Sequence, residues 1–460
     1  MKTIRVAITG LKRSGKSVFI TSLVNQLLNR KDDSMQDFPE KKKNWHIYAE
    51  LLPLPKGLSR FPYEDNLNAL NQDHPEWPCP TTVLSEIHLK FSYRKSTNNP
   101  LKTFKLEIVD YPGEWLPDLQ MLNLPFHEWS RLMISRAKEK TRSQCAREWL
   151  RLLENTNVSG PITAQATNLV TAYVQYLLAC DDLKAGLMDL QPGHFLNMPP
   201  SSKQEFVNFC PLPMPNSTQK RHILSFRQDH ALFSEFERRY LQFRNDYIFP
   251  FYTKCFRRAN VQVVLLDVLQ ILNWGMGSYN DHRRCIEGVL GRFKYGSIRK
   301  FIRPLRPLSK HLPTFLSLEK IEKTIFVATK ADHAIPGYHE NLTQLVADLV
   351  DKVQQAILGP NANAKIIKTY ISSIRSTESF SDENKEDIRL RGIVLGHQDK
   401  GLADWRARPV PPKFPSEDAW KPEDYRSYSF QPIKFPSKEG TPVPHINLDQ
   451  LLGHILQDYL

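Results

Sequence analysis

The chain has 460 residues, of which 41% are hydrophobic and 24% are charged, a composition that excludes disordered and fibrous proteins. This length predicts one large domain with insertions or two to three domains; no stretch approaches the roughly 20 apolar residues that span a bilayer, and MKTIRVAITG has no signal-peptide core, so we expect a cytoplasmic protein. The net charge of +13 permits peripheral association with anionic membranes, but no motif indicates a specific nucleic-acid partner.

The first predicted elements are a buried strand over residues 4–9 and the phosphate-binding loop that follows it. Gly10–Ser17 reads GLKRSGKS and matches G-x-x-x-x-G-K-[ST], with apolar residues at helical spacing behind it. The glycines permit a tight loop whose amides face the phosphates. We expect Lys16 to be exposed and to reach the β- and γ-phosphates as a catalytic charge, and Ser17 to ligate Mg²⁺. The predicted nucleotide-binding residues here are Gly10, Lys12, Arg13, Ser14, Gly15, Lys16, Ser17 and Val18.

A switch threonine is predicted after residues 31–80, a segment rich in Pro, Lys and Asn that reads as an irregular connection. Thr81 and Thr82 precede the alternating segment VLSEIHLKF. One of them can ligate magnesium and sense the γ-phosphate, and we favour Thr81 for this metal and catalytic role. The other interpretation is that a threonine simply begins the strand.

A second phosphate-sensing element follows the predicted strand over residues 103–109. The strand ends at Asp110, and Gly113 completes D-x-x-G. Asp110 can hold magnesium through water, and the Gly113 amide can meet the γ-phosphate. Glu114 stands where Ras-like enzymes have glutamine; its carboxylate can orient the attacking water, but it also adds negative charge beside the phosphoryl group.

Helical signals dominate residues 115–258. The segment ATNLVTAYVQYLLA is apolar almost all round, as expected of a buried helix. An aromatic stripe at alternating three- and four-residue spacing reads first as helix core and second as a ligand-stacking surface. It consists of Phe233, Phe236, Tyr240, Phe243 and Tyr247.

Residues 262–272, QVVLLDVLQIL, are predicted to return to the main sheet as one strand. The glycines of Gly275-Met276-Gly277 that follow lack the third glycine of a dinucleotide fingerprint, so this run is interpreted as a loop. The six cysteines are scattered and indicate reduced thiols, not a zinc site or a disulfide framework.

A base-recognition element is predicted after the strand at residues 324–328. Thr329-Lys330-Ala331-Asp332 is a variant of N-K-x-D. The carboxylate of Asp332 can accept two hydrogen bonds from the guanine edge, and the Lys330 stem can lie along the base. Thr329 replaces asparagine and keeps a plausible role in bracing the loop.

The last nucleotide contact is predicted where a strand over residues 364–371 ends. The triplet Ser372, Ser373 and Ile374 then lies where GTPases place a loop whose backbone amide meets the guanine O6. This prediction rests on position in the chain, because the match to a pattern is poor.

The predicted fold is a doubly wound α/β P-loop NTPase sheet with a large helical insertion and a smaller proline-rich, β-like insertion. Residues 446–460 read as an amphipathic helix. The expected GTPase domain therefore combines 1–114, 259–375 and 446–460, whereas 115–258 forms the helical insertion and 376–445 the proline-rich one.

These motifs resemble the YcjX-like stress-protein family of bacterial P-loop GTPases. The resemblance is spread from the first strand to beyond residue 370, and it implies a GTPase with an inserted helical region and a role in envelope or heat stress. The segments that carry it are TGLKRSGKSVFITSLVNQLL, FPYE at 61–64, WPxxT at 77–81, VDYPGEWLPDL, ATKADH and SIRST.

The sequence thus predicts a switch protein that binds Mg²⁺ with GTP or GDP and hydrolyses GTP slowly. The helical insertion is the expected surface for a protein effector. Two alternatives remain at this point: a nucleotide-gated scaffold with negligible turnover, and a phosphotransferase that uses ATP on the same loop. The D-x-x-G and the T-K-A-D elements argue against the phosphotransferase.

Overall fold

The computed structural model describes residues 1–29, 46–95, 98–156, 164–182, 186–196, 208–213, 229–256, 258–292, 321–358, 365–381, 388–397, 401–434 and 442–460. The chain divides into two compact units. The first contains Met1–Gly113, Cys255–Met276 and Leu318–Leu460, and the second contains Glu114–Lys254 and Gly277–Ser317.

The first unit is built on a seven-stranded, mostly parallel sheet in a mixed α/β arrangement. Its strands are β1 Lys2–Gly10, β2 His46–Leu52, β3 Ser85–Arg94, β4 Lys102–Asp110, β5 Val261–Leu266, β6 Lys323–Ala328 and β7 Lys365–Tyr370. The order is β2-β3-β4-β1-β5-β6-β7. The neighbouring strands β4, β1, β5, β6 and β7 run parallel to one another. The β2–β3 and β3–β4 pairs are antiparallel. The parallel strands are apolar because a sheet of this kind is covered on its faces.

The helices of this unit are α1 Lys16–Leu28, α2 Tyr63–Asn71, α8 Val268–Trp274, α10 His339–Leu358 and α11 Leu448–Leu456. Alternate residues of β1, such as Ile4 and Val6, share one core with Phe19 of α1 and Leu452 of α11. α10 packs against β6 and β7. This packing fixes the first turn of α1 at the end of β1, which positions the phosphate-binding loop.

Two stretches differ from their prediction. Within residues 31–80, the part that is described contains β2 and α2 and is not irregular throughout; residues 31–45 lie outside the described residues. Residues 262–272 are not one strand, because β5 ends at Leu266 and α8 begins at Val268. The physical reason is a helix cap: the Asp267 side chain accepts a hydrogen bond from the amide of Gln270.

The run at Gly275-Met276-Gly277 is a helix boundary and only in part a loop. Gly275 has φ 81° and ends α8, and α9 Met276–Arg292 begins at the next residue. This positive φ at the end of a helix favours glycine, which makes Gly275 a structural residue.

A small antiparallel sheet also belongs to the first unit. It contains β8 Glu378–Ser381, β9 Ile388–Gly392 and β10 Ala403–Arg406, in the order β10-β9-β8. The strands lie in the stretch predicted as a proline-rich, β-like insertion. Leu390 and Val394 pack with Ile335 and Phe430 in a separate hydrophobic cluster.

The described part of the second unit is mainly helical. Its helices are α3 Phe126–Ala137, α4 Ser143–Glu154, α5 Ala164–Asp182, α6 Ala231–Phe243, α7 Phe249–Cys255 and α9. The first four members of the aromatic stripe are buried and Tyr247 is half-buried, which confirms the interpretation as core. Buried ion pairs, including Arg136 to Asp189 at 2.6 Å, connect these segments.

All six cysteines are free thiols, as predicted. In the part of the chain that is described, no helix is both long and apolar enough to cross a bilayer. The division into a GTPase domain and two insertions stays a proposal; residues 277–317 belong to the helical unit, and residues 376–445 to the unit of the main sheet.

Candidate functional site

The predicted nucleotide-binding residues lie at one edge of the main sheet. β1 ends at Gly10, β4 ends at Asp110, and β6 ends one residue before Thr329. Since the carboxyl ends of parallel strands meet at the same edge, the loops that follow them surround one space. This is the position at which doubly wound sheets bind ligands.

The phosphate-binding loop closes tightly between β1 and α1. Gly15 has φ 86° and Arg13 has φ 64°, so both lie in the left-handed region. The amide of Ser14 donates to the Leu11 carbonyl oxygen at 3.2 Å, and a Cβ at Gly10 would collide with the Ser14 hydroxyl. The loop therefore requires glycine at two positions for different reasons, close approach at Gly10 and backbone conformation at Gly15. Val18 is half-buried in the first turn of α1.

Lys16 is buried, and the expectation that it is exposed was wrong. The residue is 7% exposed, and its ammonium group donates to the carbonyl oxygens of Gly10 at 2.8 Å and Leu11 at 3.4 Å. These acceptors carry no full charge. The Lys16 side chain is thus held by the loop backbone, and it also interacts electrostatically with the Asp110 carboxylate.

Three hydroxyl and carboxylate groups converge beside the loop. The hydroxyls of Ser17 and Thr81 lie 3.1 Å apart, and Thr81 donates to a carboxylate oxygen of Asp110 at 2.6 Å. Thr82 is exposed. The structure thus brings together the three predicted metal ligands, with Thr81 rather than Thr82 among them.

The donor set of this cluster fits Mg²⁺. Asp110 is 1% exposed, and its Oδ1 atom has no hydrogen-bond partner among the described residues. Burial raises the pKa of Asp110 above its usual value, although the charge of Lys16 and the Thr81 hydrogen bond oppose this. A hard cation would offset that cost, because it accepts oxygen ligands and favours the ionised carboxylate.

The loop after β6 is held by its own first two residues. The Thr329 amide donates to the Leu266 carbonyl oxygen at 2.9 Å, and its hydroxyl approaches the same oxygen at 3.4 Å. Lys330 has φ 59°, and its ammonium group lies 2.6 Å from a carboxylate oxygen of Asp267. Threonine can thus brace the loop against β5 in place of asparagine.

Asp332 is buried, and serine side chains surround its carboxylate. One oxygen accepts from the Ser372 hydroxyl at 2.6 Å. The other accepts from the amide of Ser376 at 2.7 Å and from its hydroxyl at 2.8 Å. Because an ionised carboxylate offers about four acceptor sites, these three donors leave limited capacity for a base edge.

The loop after β7 lies beside Asp332, because the Ser372 hydroxyl contacts the Asp332 carboxylate. Ser372 is 1% exposed, and its amide pairs with the Ile446 carbonyl oxygen at 3.0 Å. The Ser373 carbonyl oxygen accepts from the Ser22 hydroxyl of α1 at 2.5 Å, and Ile374 is buried. The prediction assigned a base contact to a backbone amide here. The contact that the structure describes is the Ser372 side chain on Asp332.

Gly113 packs directly on the phosphate-binding loop. A Cβ at this position would lie 2.7 Å from the Gly10 oxygen and from the Lys12 nitrogen, so a side chain does not fit. Glu114, the next residue, begins the second unit and is half-buried. Its carbonyl group lies so close to Gly193 that a Cβ on Gly193 would overlap it.

A second group of metal-ligand types lies on the main sheet at Glu86, His88 and Glu107. The guanidinium of Arg5 fills it, at 2.5 Å from Glu86 and 2.6 Å from Glu107. Although burial opposes this, the His88 and Arg5 hydrogen bonds hold the pKa of Glu86 below its usual value. The cation is thus already supplied by the chain, and the cluster is an ion-pair network.

Sequence reasoning missed Asp267 and Ser376 as parts of this site. Asp267 follows β5 and precedes a short helix, so a capping pattern was present but was hidden inside an apolar run. Ser376 lies 44 residues from the carboxylate that it contacts. No local pattern marks such a contact.

Comparison with known proteins agrees with the motifs. The model of the YcjX-like family, DUF463, matches residues 4–460. A protein of Escherichia coli (strain K12) named Ras-like GTPase YcjX is 30% identical over 469 residues, which cover 99% of this chain and 96% of the relative. A protein of the same name from Shewanella oneidensis is 28% identical over 480 residues, which cover 99% of this chain and 94% of the relative. With its phosphate-binding loop, D-x-x-G and T-K-A-D elements at one sheet edge, this chain belongs to the YcjX-like family.

Proposed function

We propose that the chain is a GTPase that binds GTP with Mg²⁺ and hydrolyses it slowly to GDP and phosphate. The observation that carries this proposal is the meeting of three groups at one sheet edge: the Lys16 ammonium, the Ser17–Thr81–Asp110 oxygen cluster and the Asp332 carboxylate. The names of the relatives, Ras-like GTPase, support the same activity.

Positioning and charge stabilisation are the chemistry that these residues can perform. Lys16 supplies a positive charge to the β- and γ-phosphates, and the amides of the loop donate to phosphate oxygens. Ser17, Thr81 and Asp110 would hold Mg²⁺, which when bound neutralises phosphate charge. Gly113 presents a backbone amide beside the loop, where the γ-phosphate is expected. Glu114 is the proposed residue that orients the attacking water.

Measurement of phosphate release separates this proposal from its rivals. With Mg²⁺ present, GTP should give phosphate at a steady rate and ATP should give much less. A scaffold with negligible turnover would bind GTP without releasing phosphate. A phosphotransferase would release phosphate or transfer it only with an added acceptor and with ATP. Either result would contradict the GTPase proposal.

Asp332 is predicted to determine the preference for guanine. Replacement of Asp332 by alanine should lower the affinity for GDP roughly 100-fold and remove most of the preference over ADP, because the guanine donors lose their acceptor. Titration calorimetry with GDP and ADP measures both quantities.

Ser376→Ala is the matched control for this prediction. It removes one of the three donors to the Asp332 carboxylate but leaves the carboxylate in place. Guanine preference should persist in Ser376→Ala. Equal affinity of the unmodified chain for GDP and ADP would contradict the assignment of Asp332.

We also propose that the helical unit responds to the γ-phosphate and carries the main surface for a protein effector. Its first residues are tied to a distant segment of the same unit. The Asp118 carboxylate accepts from the amides of Gly193 at 2.6 Å and His194 at 3.1 Å. The Trp115 ring stacks on His194 with centroids 4.3 Å apart. A shift of Gly113 would therefore reach residues 193–194 through the next five residues of the chain.

Hydrogen exchange tests this switch. A non-hydrolysable GTP analogue should slow exchange in residues 114–124 and 193–196 relative to GDP, because only the triphosphate contacts the Gly113 amide. In Asp118→Ala the difference should persist near Gly113 and disappear at 193–196. Identical exchange with both nucleotides would mean that the unit is a rigid scaffold. We also propose a role in stress response, which the family resemblance supports.

A further inference from the structure

The phosphate-binding loop carries two cationic side chains besides Lys16, at Lys12 and Arg13. We propose that Arg13 is a catalytic residue that supplies, from within the chain, the cation that stabilises the transition state of GTP hydrolysis. This inference rests on the proposed GTPase function. GTPases place such a guanidinium either in the same chain or on a partner protein.

The backbone at Arg13 is the first observation. Its φ of 64° lies in the left-handed region, where side chains with a Cβ are disfavoured. In the part of the chain that the structure describes, only two other non-glycine residues, Lys330 and Asn447, share this conformation. Glycine or asparagine would fit here with less strain. Strained residues of this kind cluster at functional sites, where the side chain has a use that offsets the cost.

The surroundings of the side chain are the second observation. Arg13 is exposed, and no ion pair or hydrogen bond joins its guanidinium to any described residue. The neighbouring side chains differ: Ser14 is buried, and the Lys16 ammonium is held by loop carbonyls. None of the residues that the structure describes thus occupies the donors of Arg13, which can reach a ligand at the loop.

The position in the loop is the third observation. Lys12, the residue before Arg13, packs on Gly113. A Cβ built on Gly113 would lie 2.7 Å from the Lys12 nitrogen. Gly113 is the residue whose amide is expected at the γ-phosphate. A side chain that leaves the loop one residue later therefore begins beside the β- and γ-phosphates, and arginine is long enough to place its guanidinium over the oxygen that joins them.

The chemical identity of the side chain favours Arg13 over Lys12. A guanidinium is planar, always charged and donates two parallel hydrogen bonds to phosphate oxygens, whereas an ammonium acts as a point charge. Lys12 is half-buried and has contacts of its own within the chain.

In the reaction, a bond forms between the oxygen of water and the γ-phosphorus, and the bond from that phosphorus to the bridging oxygen breaks. The electron pair of the broken bond stays on the bridging oxygen, which becomes a terminal oxygen of GDP. Both protons of the water molecule leave with inorganic phosphate, as H2PO4−. Arg13 donates hydrogen bonds to the bridging oxygen and to a γ-phosphate oxygen, where negative charge grows in the transition state.

Four variants of the full chain test the assignment: Arg13→Ala, Arg13→Gly, Arg13→Lys and Lys12→Ala, which tests the other cation of the loop. Arg13→Ala and Arg13→Gly should lower kcat about 100-fold, whereas the Kd for GDP should change less than about fivefold. Both should also lose the tight binding of GDP with aluminium fluoride, which imitates the transition state. Arg13→Lys should restore part of kcat, and Lys12→Ala should lower kcat much less than Arg13→Ala does.

Arg13→Gly gives a readout that a structural role would not produce. Because glycine accepts a positive φ without strain, this variant should melt at a higher temperature than the unmodified chain while turning over GTP more slowly. A lower melting temperature together with slower turnover would indicate that Arg13 merely holds the loop, and would overturn the proposal.

The remaining outcomes are also decisive. If the unmodified chain hydrolyses GTP and Arg13→Ala matches its kcat, the role of Arg13 is wrong and the GTPase function stands. A loss of kcat in Lys12→Ala but not in Arg13→Ala would assign the cation to Lys12. If the unmodified chain binds GTP but releases no phosphate, the GTPase function itself fails, and a catalytic role for Arg13 fails with it.

Discussion

Replacement of Lys16 by alanine is expected to weaken GTP binding roughly 1000-fold, because a desolvated positive charge is removed from the place where the β- and γ-phosphates lie. Loss of one partner of a buried charge pair costs about 4 kcal/mol, and each 1.4 kcal/mol is tenfold in Kd. The ammonium is preorganised for this task. Its hydrogen bonds to the carbonyl oxygens of Gly10 and Leu11 hold it inside the loop without neutralising its charge.

The burial of Lys16 makes a stability control necessary. Since the residue is 7% exposed and bonds to the loop backbone, alanine could loosen the loop as well as remove the charge. Lys12→Ala removes a charge from the same loop and should weaken GTP binding much less than Lys16→Ala does, because the Lys12 side chain is only half-buried, whereas the Lys16 ammonium is held inside the loop. Titration calorimetry of both variants, with their melting temperatures, separates the two effects. A folded Lys16→Ala chain that binds GTP within tenfold of the unmodified chain would refute the phosphate role.

The strands and the phosphate-binding loop could be predicted because their signals are local. Residues 4–9 are apolar, and the glycines follow at once, so strand, loop and helix are specified within about 25 consecutive positions. The same holds for β4 with Asp110 and for β6 with the T-K-A-D element. Each of these elements needs only its own side chains and a buried place in the sheet.

Errors arose where an apolar run hides a change of structure. Gln262–Leu272 is apolar except at Gln262, Asp267 and Gln270, and periodicity does not distinguish a buried strand from a buried helix. The helix cap at Asp267 decides between them, through one hydrogen bond to the amide of Gln270. For β2, the sequence HIYAELL is only half-buried, so its apolar pattern is weak.

Contacts between distant residues escaped prediction altogether. Ser376 donates to Asp332 across 44 positions, and Lys330 pairs with Asp267 across 63. The two acids and their partners are polar residues in loops, and a lone sequence gives no sign of which loops meet. The sheet order supplies that information, since β5, β6 and β7 are neighbours and bring their following loops together.

These contacts connect the loop that is proposed to bind the base with the loop that is proposed to bind the phosphates. The loop after β6 carries Asp332 for the base, and its Lys330 is tied to the end of β5 at Asp267. Leu265, near the end of β5, packs beneath Gly10 of the phosphate-binding loop. A Cβ built on Gly10 would lie 3.2 Å from Leu265. β5 thus supports both loops, although none of its residues was predicted to bind nucleotide.

Removal of magnesium is expected to lower GTP turnover by more than about 1000-fold, since a bound divalent cation contributes several kcal/mol of charge stabilisation in phosphoryl transfer. Excess chelator should have this effect on the unmodified chain. Asp110→Asn should reproduce it with Mg²⁺ present, because the amide keeps the shape of the side chain but loses its charge. Turnover that persists unchanged in chelator would contradict the proposed Ser17–Thr81–Asp110 site.

Asp110→Asn also makes a prediction without nucleotide. Burial raises the pKa of Asp110 in the folded chain above its value in the unfolded chain, about 3.9. The folded state then binds the proton more tightly, so ionisation of this carboxylate lowers stability as pH rises through the interval between the two values. Above that interval the unliganded Asp110→Asn chain should melt at a higher temperature than the unmodified chain. With Mg²⁺ and a GTP analogue the order should reverse, because only the carboxylate gains the ligand's stabilisation. Melting curves at neutral pH, with and without ligand, measure both differences, and an asparagine variant that is less stable than the unmodified chain without ligand would show that Asp110 serves the fold and not the cation.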